Sequence, residues 1–202
     1  MCAIVSSRDI DRFKGLIEVN RERGTFASSL VKISNDAPIN IGRFPGLFNV
    51  NSIDSAHIDC FVGHVQAPTS DIREWSAETS HPFETSNWLV FHNGVLTNHK
   101  ELDKTVKVDT QCIVNLLEEC NDIQSVVNKL KGTFALFIIN RKTSERFILR
   151  QGSLLHYNDQ GDVSSLYIDG MKILPEGVIM KYSNDKWTEY SKFNTQSPFI
   201  FL

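Results

Sequence analysis

Cysteine is scarce in this chain, and none of it is spaced for a metal site or a disulfide framework. The 202 residues include four cysteines, Cys2, Cys60, Cys112 and Cys120, with no CxxC pair among them. A zinc site or a disulfide scaffold needs such spacing, so we expect neither. No two histidines stand at ligand spacing beside an acid, so we predict no metal, and we predict no cofactor. Cys60, Cys112 and Cys120 are expected to be packing residues, because buried thiols are common in strands and helices.

Long apolar runs and blocks of like charge are also missing. No apolar segment approaches the roughly 20 residues that cross a bilayer. The N-terminus shows no basic stretch followed by an apolar one, which would mark a secretory signal. The formal net charge is -3, without the basic face typical of nucleic-acid-binding proteins. We therefore expect a cytoplasmic protein whose partners include neither membrane nor nucleic acid.

The composition that remains is that of an ordinary globular protein. Hydrophobic residues make up 41% of the chain and charged residues 22%, which suits one well-buried core. No internal repeat, low-complexity tract or linker divides the sequence. We predict a single domain over residues 1–202, with a core at about 2–182 and a short C-terminal extension at 183–202.

Hydrophobic spacing predicts helices grouped between strand-rich ends. Helical periodicity occurs at 9–20, 109–120 and 123–130, with Asp9 and Asp109 as the expected N-caps of the first two. Alternating or short apolar runs predict strands at 3–6, 28–33, 61–65, 88–92, 133–139, 146–150, 154–157, 164–168, 177–182 and 186–191. This order predicts an α+β fold with layered sheets.

Glycine, proline and polar residues predict where the chain is irregular. Residues 37–50 are expected to be mostly loop, because they carry two prolines and two glycines. A long polar loop is predicted at 71–86, and loops of that length in a domain are usually functional or disordered. Asn93-Gly94 is a strong turn signal and predicts the end of the strand at 88–92.

Cys2 can combine two chemical roles in one residue. It follows Met1 directly, and loss of Met1 would leave a thiol and an α-amino group on the same carbon. The thiolate is a nucleophile, and an α-amino group with a pKa near ~7.7–8.0 is a base at neutral pH. The two form a nucleophile–base pair of the kind used by N-terminal threonine enzymes. The alternative is a small buried residue at the start of a strand.

Asn93-Gly94 can supply the second requirement of amide hydrolysis. Attack by a thiolate passes through a tetrahedral oxyanion, which needs hydrogen-bond donors fixed in advance. Asn93 offers its side-chain amide and Gly94 its backbone N–H, and glycine lets the backbone approach a ligand closely. The alternative is an ordinary Asn-Gly hairpin turn.

Six separated segments complete the pattern. They are Cys2-Ala3-Ile4-Val5, Arg23-Gly24, the run from Gly63 to Thr69, the run from His92 to Asn98, Asp109-Thr110 and the run from Leu130 to Leu136. In this order and at these distances the chain, from Cys2 to about Tyr182, resembles the class II glutamine amidotransferases, which are N-terminal nucleophile hydrolases. The resemblance implies a four-layer αββα sandwich with two facing antiparallel sheets.

The resemblance also implies a reaction. Cys2 would attack the side-chain amide of glutamine, its own amine would relay the proton, and ammonia would leave. Water would then resolve a γ-glutamyl thioester, with Asn93 and Gly94 holding the oxyanion. Since no second domain is evident, the ammonia would pass to a synthase on a separate chain. The apolar run at 198–202 is expected either to dock on such a partner or to fold onto its own core.

Further residues take their expected roles from the same resemblance. Asp109 would bind the α-amino group of glutamine, and its carboxylate can also cap a helix if its oxygens divide the work. Arg23 would support the nucleophile, and Thr69 belongs to the loop that would close over the substrate. His81 begins a His-Pro-Phe segment on the substrate side. We expect His64 and His92 to be structural, because the α-amino group already serves as the base.

Gln66 departs from the family pattern. The family usually has an arginine at this position, which pairs with the substrate's α-carboxylate, and such a charge-assisted contact is hard to replace. Free glutamine would then bind weakly, unless Arg73 supplies the charge or the substrate lacks that carboxylate. Two alternatives to a glutaminase therefore stay open: an amidase for another γ-glutamyl or amide compound, and a catalytically silent binding module.

Overall fold

The strands of the chain form two sheets. A computed structural model describes residues 2–34, 39–54, 56–67 and 74–196. Within these ranges the strands are β1 (Ala3–Ser7), β2 (Ala27–Ile33), β3 (Asn40–Pro45), β4 (Cys60–Gln66), β5 (Phe83–Glu84), β6 (Trp88–Leu96), β7 (Gly132–Asn140), β8 (Arg146–Gln151), β9 (His156–Tyr157), β10 (Val163–Ser164), β11 (Lys172–Ile173), β12 (Val178–Ser183) and β13 (Lys186–Lys192). The helices are α1 (Ile10–Asn20), α2 (His99–Leu102), α3 (Asp109–Cys120) and α4 (Ile123–Val127), with short 3-10 turns at Arg21–Arg23, Val50–Ser52 and Ala77–Thr79.

The described part of the chain folds into two compact units. Unit 1 comprises the described residues up to Pro82 together with His156–Lys172. Unit 2 comprises Phe83–Leu155 and the described residues from Ile173 onward. The single-domain prediction for residues 1–202 stays a prediction.

In unit 1 the strand that follows Cys2 lies inside a seven-stranded sheet. The strand order is β11-β9-β10-β1-β4-β2-β3. β1 pairs antiparallel with β4, from Ala3 opposite Val65 to Ser7 opposite Phe61, and with β10 on its other side. β1 is buried along its whole length, and its pairing with β4 begins at Ala3, the residue directly after Cys2.

Helix α1 covers the core of unit 1. Asp9 is its N-cap, as predicted, and its carboxylate accepts a hydrogen bond of 2.7 Å from the Arg12 backbone N–H. Asp9 thus satisfies one of the open donors of the first turn. The helix buries its apolar stripe against the sheet, and the buried apolar cluster consists of Ala3, Val5, Phe13, Leu16, Ile17, Leu30, Phe61, Val65 and Met171.

Unit 2 is built on a six-stranded sheet of order β13-β12-β8-β7-β6-β5. The pair β6–β7 is antiparallel and runs without interruption from Trp88 opposite Asn140 to Leu96 opposite Gly132. Helix α3 packs on β6 through Ile113, Val114 and Leu117, all buried in the apolar cluster of this unit. This packing fixes where the polar residues at the start of α3 lie relative to the polar residues of β6.

Most predicted elements are found within one to three residues of their expected bounds. The helix predicted at 9–20 is α1, and the strands predicted at 61–65 and 133–139 are β4 and β7. The short helix α2 and the strands β3, β5 and β11 were not predicted, and the strand predicted at 164–168 is found only as β10. No helix among the described residues is both long and apolar enough to cross a membrane.

Several structural predictions are wrong, including the loop predicted at 71–86, which contains β5. Asn93-Gly94 does not end a strand: both residues pair with β7, so long-range pairing overrides the local turn signal. The stretch predicted as loop at 37–50 contains β3, an edge strand on which proline and glycine are tolerated. Cys120 is exposed rather than packed, because it lies in the last turn of α3.

The expected N-cap of α3 is also wrong. Asp109 is the first helical residue, and Val108 is the N-cap. The side chain of Gln111 reaches back and accepts from the Lys107 and Val108 N–H groups at 3.0 and 3.2 Å. Its amide oxygen therefore satisfies donors at the helix start, and the Asp109 carboxylate is left for other contacts.

Candidate active site

Cys2 lies immediately ahead of β1 and is partly exposed. Its thiol is 4.0 Å from the carbonyl oxygen of Ala67, and its own carbonyl accepts a hydrogen bond of 2.8 Å from Arg23 Nε. Two residues along, Ile4 N–H donates to Ser165 Oγ at 2.9 Å, and the Ser165 N–H donates to Ile4 O at 3.0 Å. Cys2 is therefore anchored through its backbone, while its thiol lies at the carboxyl end of β4.

Arg23 and Gly24 contact Cys2 and the end of β4, respectively. Burial lowers the pKa of Arg23, and negative charge on Cys2 raises it in part, so the guanidinium and the thiol interact. Gly24 approaches the backbone so closely that an added Cβ would lie 2.4 Å from both Ala67 N and Gln66 C. Only glycine fits there without moving the end of β4, which places the arginine beside Cys2.

Gln66 is the last residue of β4 and is buried, at 3% exposure. Its carbonyl accepts a hydrogen bond of 3.0 Å from the Phe26 N–H. In the same strand, the ring of His64 lies 4.2 Å from that of His81, centroid to centroid. Thr69 and Arg73, the other expected substrate contacts on this side, fall outside the described residues.

Asn93 carries a buried side-chain donor that the described residues leave unpaired. The residue is 5% exposed in β6, and its Nδ2 is buried with no hydrogen-bond partner among the described residues. An unmet buried donor costs roughly 1–3 kcal/mol. Such a donor is the type of group that a developing oxyanion would bind.

Gly94 lies where no side chain fits. Its φ is +153°, and an added Cβ would lie 2.1 Å from Thr133 O and 2.7 Å from Thr133 C on the neighbouring strand. The contact is with backbone, which cannot rotate away. The tight approach of β6 to β7 at this point thus depends on glycine, next to the Asn93 donor.

Asp109 is tied to the end of β6. Its Oδ2 accepts a hydrogen bond of 3.0 Å from the Leu96 N–H, and its Oδ1 lies 3.3 Å from Thr110 Oγ1 and 3.6 Å from His92 Nδ1. Burial raises the pKa of Asp109, but the hydrogen bond and charge of His92 and the N–H groups of Leu96 and Thr110 outweigh it and lower the pKa to about 2. The carboxylate is therefore ionised at neutral pH and keeps lone pairs for a cation.

Known proteins resemble this chain in sequence and fold. A family model described as a glutamine amidotransferase domain matches residues 72–163. The isomerizing glutamine–fructose-6-phosphate aminotransferase of Francisella tularensis is 26% identical over 203 residues, which is 87% of this chain and 33% of that protein. The 7-cyano-7-deazaguanine synthase 2 of Sulfurisphaera tokodaii is 29% identical over 96 residues, which is 42% of this chain and 21% of that protein.

A solved structure extends the likeness across the whole fold. The glutamine phosphoribosylpyrophosphate amidotransferase of B. subtilis superposes with a TM-score of 0.72 at 14% identity, covering 95% of this chain and 49% of that one. The chain contains a class II glutamine amidotransferase domain. The predicted α+β fold of the N-terminal nucleophile type is confirmed, and so is the predicted enzyme class, because such domains belong to enzymes or enzyme subunits.

The amidotransferase domain brings its expected site residues together in two groups. Within unit 1, Cys2, Arg23 and Gln66 converge on the carboxyl end of β4. Within unit 2, Asn93, Gly94 and Asp109 converge on β6. The roles assigned to these residues and to Thr69 remain proposals.

The other cysteines of the domain are poorer nucleophile candidates. Burial, followed by the charges of Asp103, Asp109 and Glu119, raises the pKa of the Cys112 thiol to about 11. Cys60 is 1% exposed, and its sulfur lies 3.3 Å from Ser6 Oγ. Cys120 is exposed and accepts a contact of 3.8 Å from Lys129 Nζ. In the part of the chain that the structure describes, no cluster of three or more His, Cys, Asp or Glu could hold a metal ion.

The sequence did not predict the residues that support the candidate site residues through hydrogen bonds. Ser165 anchors Ile4 from 161 residues away, and Asn20 donates to Ser164 Oγ from 144 residues away. No local pattern marks such contacts. Thr110 and His92 stand inside the recognised motifs, but their contact, at 3.1 Å, depends on how α3 packs on β6.

Proposed function

We propose that this amidotransferase domain hydrolyses the side-chain amide of glutamine with Cys2 as nucleophile. The observation that carries the proposal is the Asn93 Nδ2 donor, buried in β6 without a protein acceptor among the described residues. Most buried polar groups are hydrogen-bonded. Other buried donors among the described residues, such as Trp88 Nε1 and Trp187 Nε1, also lack a partner, but Asn93 Nδ2 is the one that adjoins Gly94. A donor held ready beside a glycine that tolerates no side chain suits an oxyanion.

The reaction needs only groups that the chain supplies. The Cys2 sulfur attacks the amide carbonyl, and its α-amino group takes the thiol proton and delivers it to the departing nitrogen. Ammonia leaves and a γ-glutamyl thioester remains on Cys2. Water, deprotonated by the same amine, then attacks the thioester, which yields glutamate and regenerates the thiol. In both steps Asn93 and the Gly94 N–H stabilise the oxyanion. We propose no cofactor.

Substrate recognition is assigned to the residues that the resemblance implies. Asp109, ionised at neutral pH because its pKa is about 2, would receive the substrate's ammonium group. Arg23, bonded to the Cys2 carbonyl at 2.8 Å, would support the nucleophile. Gln66 would face the α-carboxylate without a charge of its own, and Thr69 would lie in the closing loop.

The released ammonia would serve a synthase on another chain. The chain spans 21% and 33% of the two curated relatives, whose names describe a deazaguanine synthase and an aminotransferase of fructose-6-phosphate. We propose by analogy an acceptor enzyme that uses ammonia as its nitrogen source. Which acceptor it is does not follow from these names.

A second candidate function is favoured by Gln66. This residue is buried at 3% exposure and uncharged, so an α-carboxylate would gain hydrogen bonds there but no ion pair. A substrate amide whose α-carboxylate is esterified, amidated or absent forms no such ion pair in any case, so the absence of an arginine would cost it less binding free energy. The second candidate is therefore an amidase for such a compound, using the same Cys2 chemistry.

Ammonia release tests both candidates. The assay compares the native chain with Cys2→Ala and with Cys120→Ala, a matched loss of an exposed thiol away from the proposed site. Activity on glutamine that disappears only in Cys2→Ala supports the main proposal. Activity on glutaminamide but not on glutamine supports the second candidate. Ammonia production that survives Cys2→Ala rejects both, as does its absence with every amide.

A further inference from the structure

The Asp109 carboxylate is fastened to β6 on both sides of the proposed oxyanion donors. On one side its Oδ2 accepts from the Leu96 N–H at 3.0 Å. On the other, His92 Nδ1 lies 3.6 Å from its Oδ1. Asn93 and Gly94 fall between these two anchor points in the strand. The distance from the carboxylate to the donors is therefore set by two contacts rather than one.

Thr110 is the residue that completes the second anchor. It is 0% exposed, and its Oγ1 lies 3.1 Å from His92 Nδ1 and 3.3 Å from Asp109 Oδ1. A hydroxyl has one proton to donate and two lone pairs that accept. With a proton on His92 Nδ1, the hydroxyl accepts from the imidazole and donates to the carboxylate. One side chain thus joins a buried ring of β6 to the carboxylate at the start of α3.

The far side of the His92 ring faces the backbone of β7. Its Nε2 lies 3.5 Å from Thr133 O, the same carbonyl that an added Cβ on Gly94 would meet at 2.1 Å. The ring is buried, with a side-chain exposure of 2%. The His92 ring therefore lies between the backbone of β7, next to the proposed oxyanion donor Gly94, and Thr110 on α3.

The carboxylate needs this support because it is mostly buried. Its side chain is 19% exposed, and burial alone favours the neutral acid. Hydrogen bonds to the ionised form reverse that preference. A receptor for an ammonium group must be both charged and correctly placed. The backbone N–H of Thr110 helps to keep the carboxylate ionised, and its hydroxyl, 3.3 Å from Asp109 Oδ1, helps to place it.

The geometry points to Thr110 as a positioning residue, which holds the Asp109 carboxylate in register with Asn93 and Gly94 and so makes the domain selective for amides that carry a cationic amine. The inference rests on the proposed function and deepens it, since it adds a residue that selects the substrate. Thr110 itself touches no reacting atom. It acts through Asp109, and His92 is its partner.

The first test compares two substrates that differ only in the amine. Glutamine carries the ammonium group, and glutaramate is the same amide without it. For Thr110→Val, which keeps the volume and removes the hydroxyl, we expect kcat/KM for glutamine to fall about 100-fold, the usual effect of a misplaced binding group. The value for glutaramate should change less than about threefold. Thr110→Ser, which keeps the hydroxyl, should retain the native preference for glutamine.

A purely structural role for Thr110 gives a different result. Loss of packing would lower kcat/KM for both substrates by the same factor, and Thr110→Ser would be damaged as much as Thr110→Val. Either outcome overturns the inference. A native chain that hydrolyses both substrates equally well overturns it too, because there is then no amine selectivity to explain.

Binding to an inactive chain separates this inference from the proposed function. In Cys2→Ala, glutamine should shift the amide resonances of Leu96 and Thr110 and bind at least tenfold more tightly than glutaramate. Adding Thr110→Val should remove that difference. If the difference persists with valine, or if neither compound perturbs these resonances, the role of Thr110 is rejected. The proposed function fails on a separate result, the survival of ammonia release in Cys2→Ala.

Discussion

At the scale of single residues, two asparagines show how structure and function use the same side chain differently. Asn20 is 0% exposed, and its Nδ2 donates to both Leu16 O and Ser164 Oγ at 2.9 Å. Asn93 is 5% exposed, and its Nδ2 has no partner among the described residues. The first amide stabilises the fold. The second amide would donate to the oxyanion in the proposed reaction.

These two residues make a matched pair for mutation. Asn93→Ala should lower kcat for glutamine about 100- to 1,000-fold, the usual loss for an oxyanion donor. Its unfolding free energy should fall less than that of Asn20→Ala, which leaves bonded groups unsatisfied at about 1–3 kcal/mol. Ammonia kinetics and urea denaturation measure the two effects. An Asn93→Ala chain with native kcat would contradict the assignment.

The lowered pKa of Asp109 predicts that the free energy of unfolding depends on pH in the acid range. Its pKa is lowered from 3.8 to about 2 in the folded chain, so the ionised form stabilises the fold by about 2 kcal/mol above pH 4. That contribution is lost as the pH falls through 2, where folded and unfolded forms are both protonated. The stability gap between the native chain and Asp109→Asn should therefore shrink by about 2 kcal/mol between pH 6 and pH 2. A gap that stays constant in urea titrations across this range would show that Asp109 is not held in its ionised form.

Residue types alone predicted the candidate site residues, but they did not predict the residues that hydrogen-bond to them. A thiol at position 2 and an Asn-Gly pair carry chemistry that can be recognised from the letters alone. Asp109 was expected to cap its helix, and the structure instead bonds its carboxylate to Leu96, 13 residues earlier. Ser165 and Thr110 acquire their contacts only when distant segments pack together, so their contribution could not be predicted.

At the scale of elements, the pairing of β6 with β7 positions the proposed oxyanion donors, Asn93 and Gly94. The turn predicted at Asn93-Gly94 was wrong because nine consecutive residue pairs join these strands and continue past it. Helix α1, by contrast, was predicted correctly from Phe13, Leu16 and Ile17, since its apolar spacing and its N-cap are local features. Local signals were sufficient for α1, whereas the end of β6 depends on long-range pairing.

Two glycine substitutions test the strand pair. Gly94→Ala places a Cβ 2.1 Å from the Thr133 carbonyl oxygen, so we expect it to lower the unfolding free energy by about 1–3 kcal/mol or more. Gly15→Ala, in the exposed middle of α1 with nothing within 4 Å of the new carbon, should instead raise it by about 0.5–1 kcal/mol. Urea denaturation of both variants gives the comparison. Equal stability of the two would contradict the close approach of β6 to β7.

At the scale of the whole molecule, the sequence predicted the fold class through its motifs rather than through its elements. The strand and helix order was compatible with several layered α+β folds. The spacing of the Cys2, Arg23-Gly24 and His92-Asn93-Gly94 segments pointed to one of them, and the match to a solved amidotransferase over 95% of the chain confirmed it. No motif in the sequence identifies an acceptor for the ammonia of the proposed reaction.

The proposed mechanism makes the start of the chain part of the active site. A tag fused ahead of Met1 and not cleaved would keep the Cys2 nitrogen in an amide, which cannot act as a base. We expect such a chain to release no ammonia from glutamine, and protease removal of the tag up to Cys2 to restore the rate. The same tag at the C-terminus is the control and should leave the rate unchanged. A chain that works equally well with the N-terminal tag in place would exclude the α-amino group as base.

Intact mass after reaction with a diazoketone analogue of glutamine shows whether Cys2 is the nucleophile. We expect a chain that lacks Met1 and carries one analogue, mapped by fragmentation to the sulfur of Cys2, with ammonia release abolished in proportion to labelling. An active chain that retains Met1, or a label that maps to any residue other than Cys2, would contradict this role of Cys2.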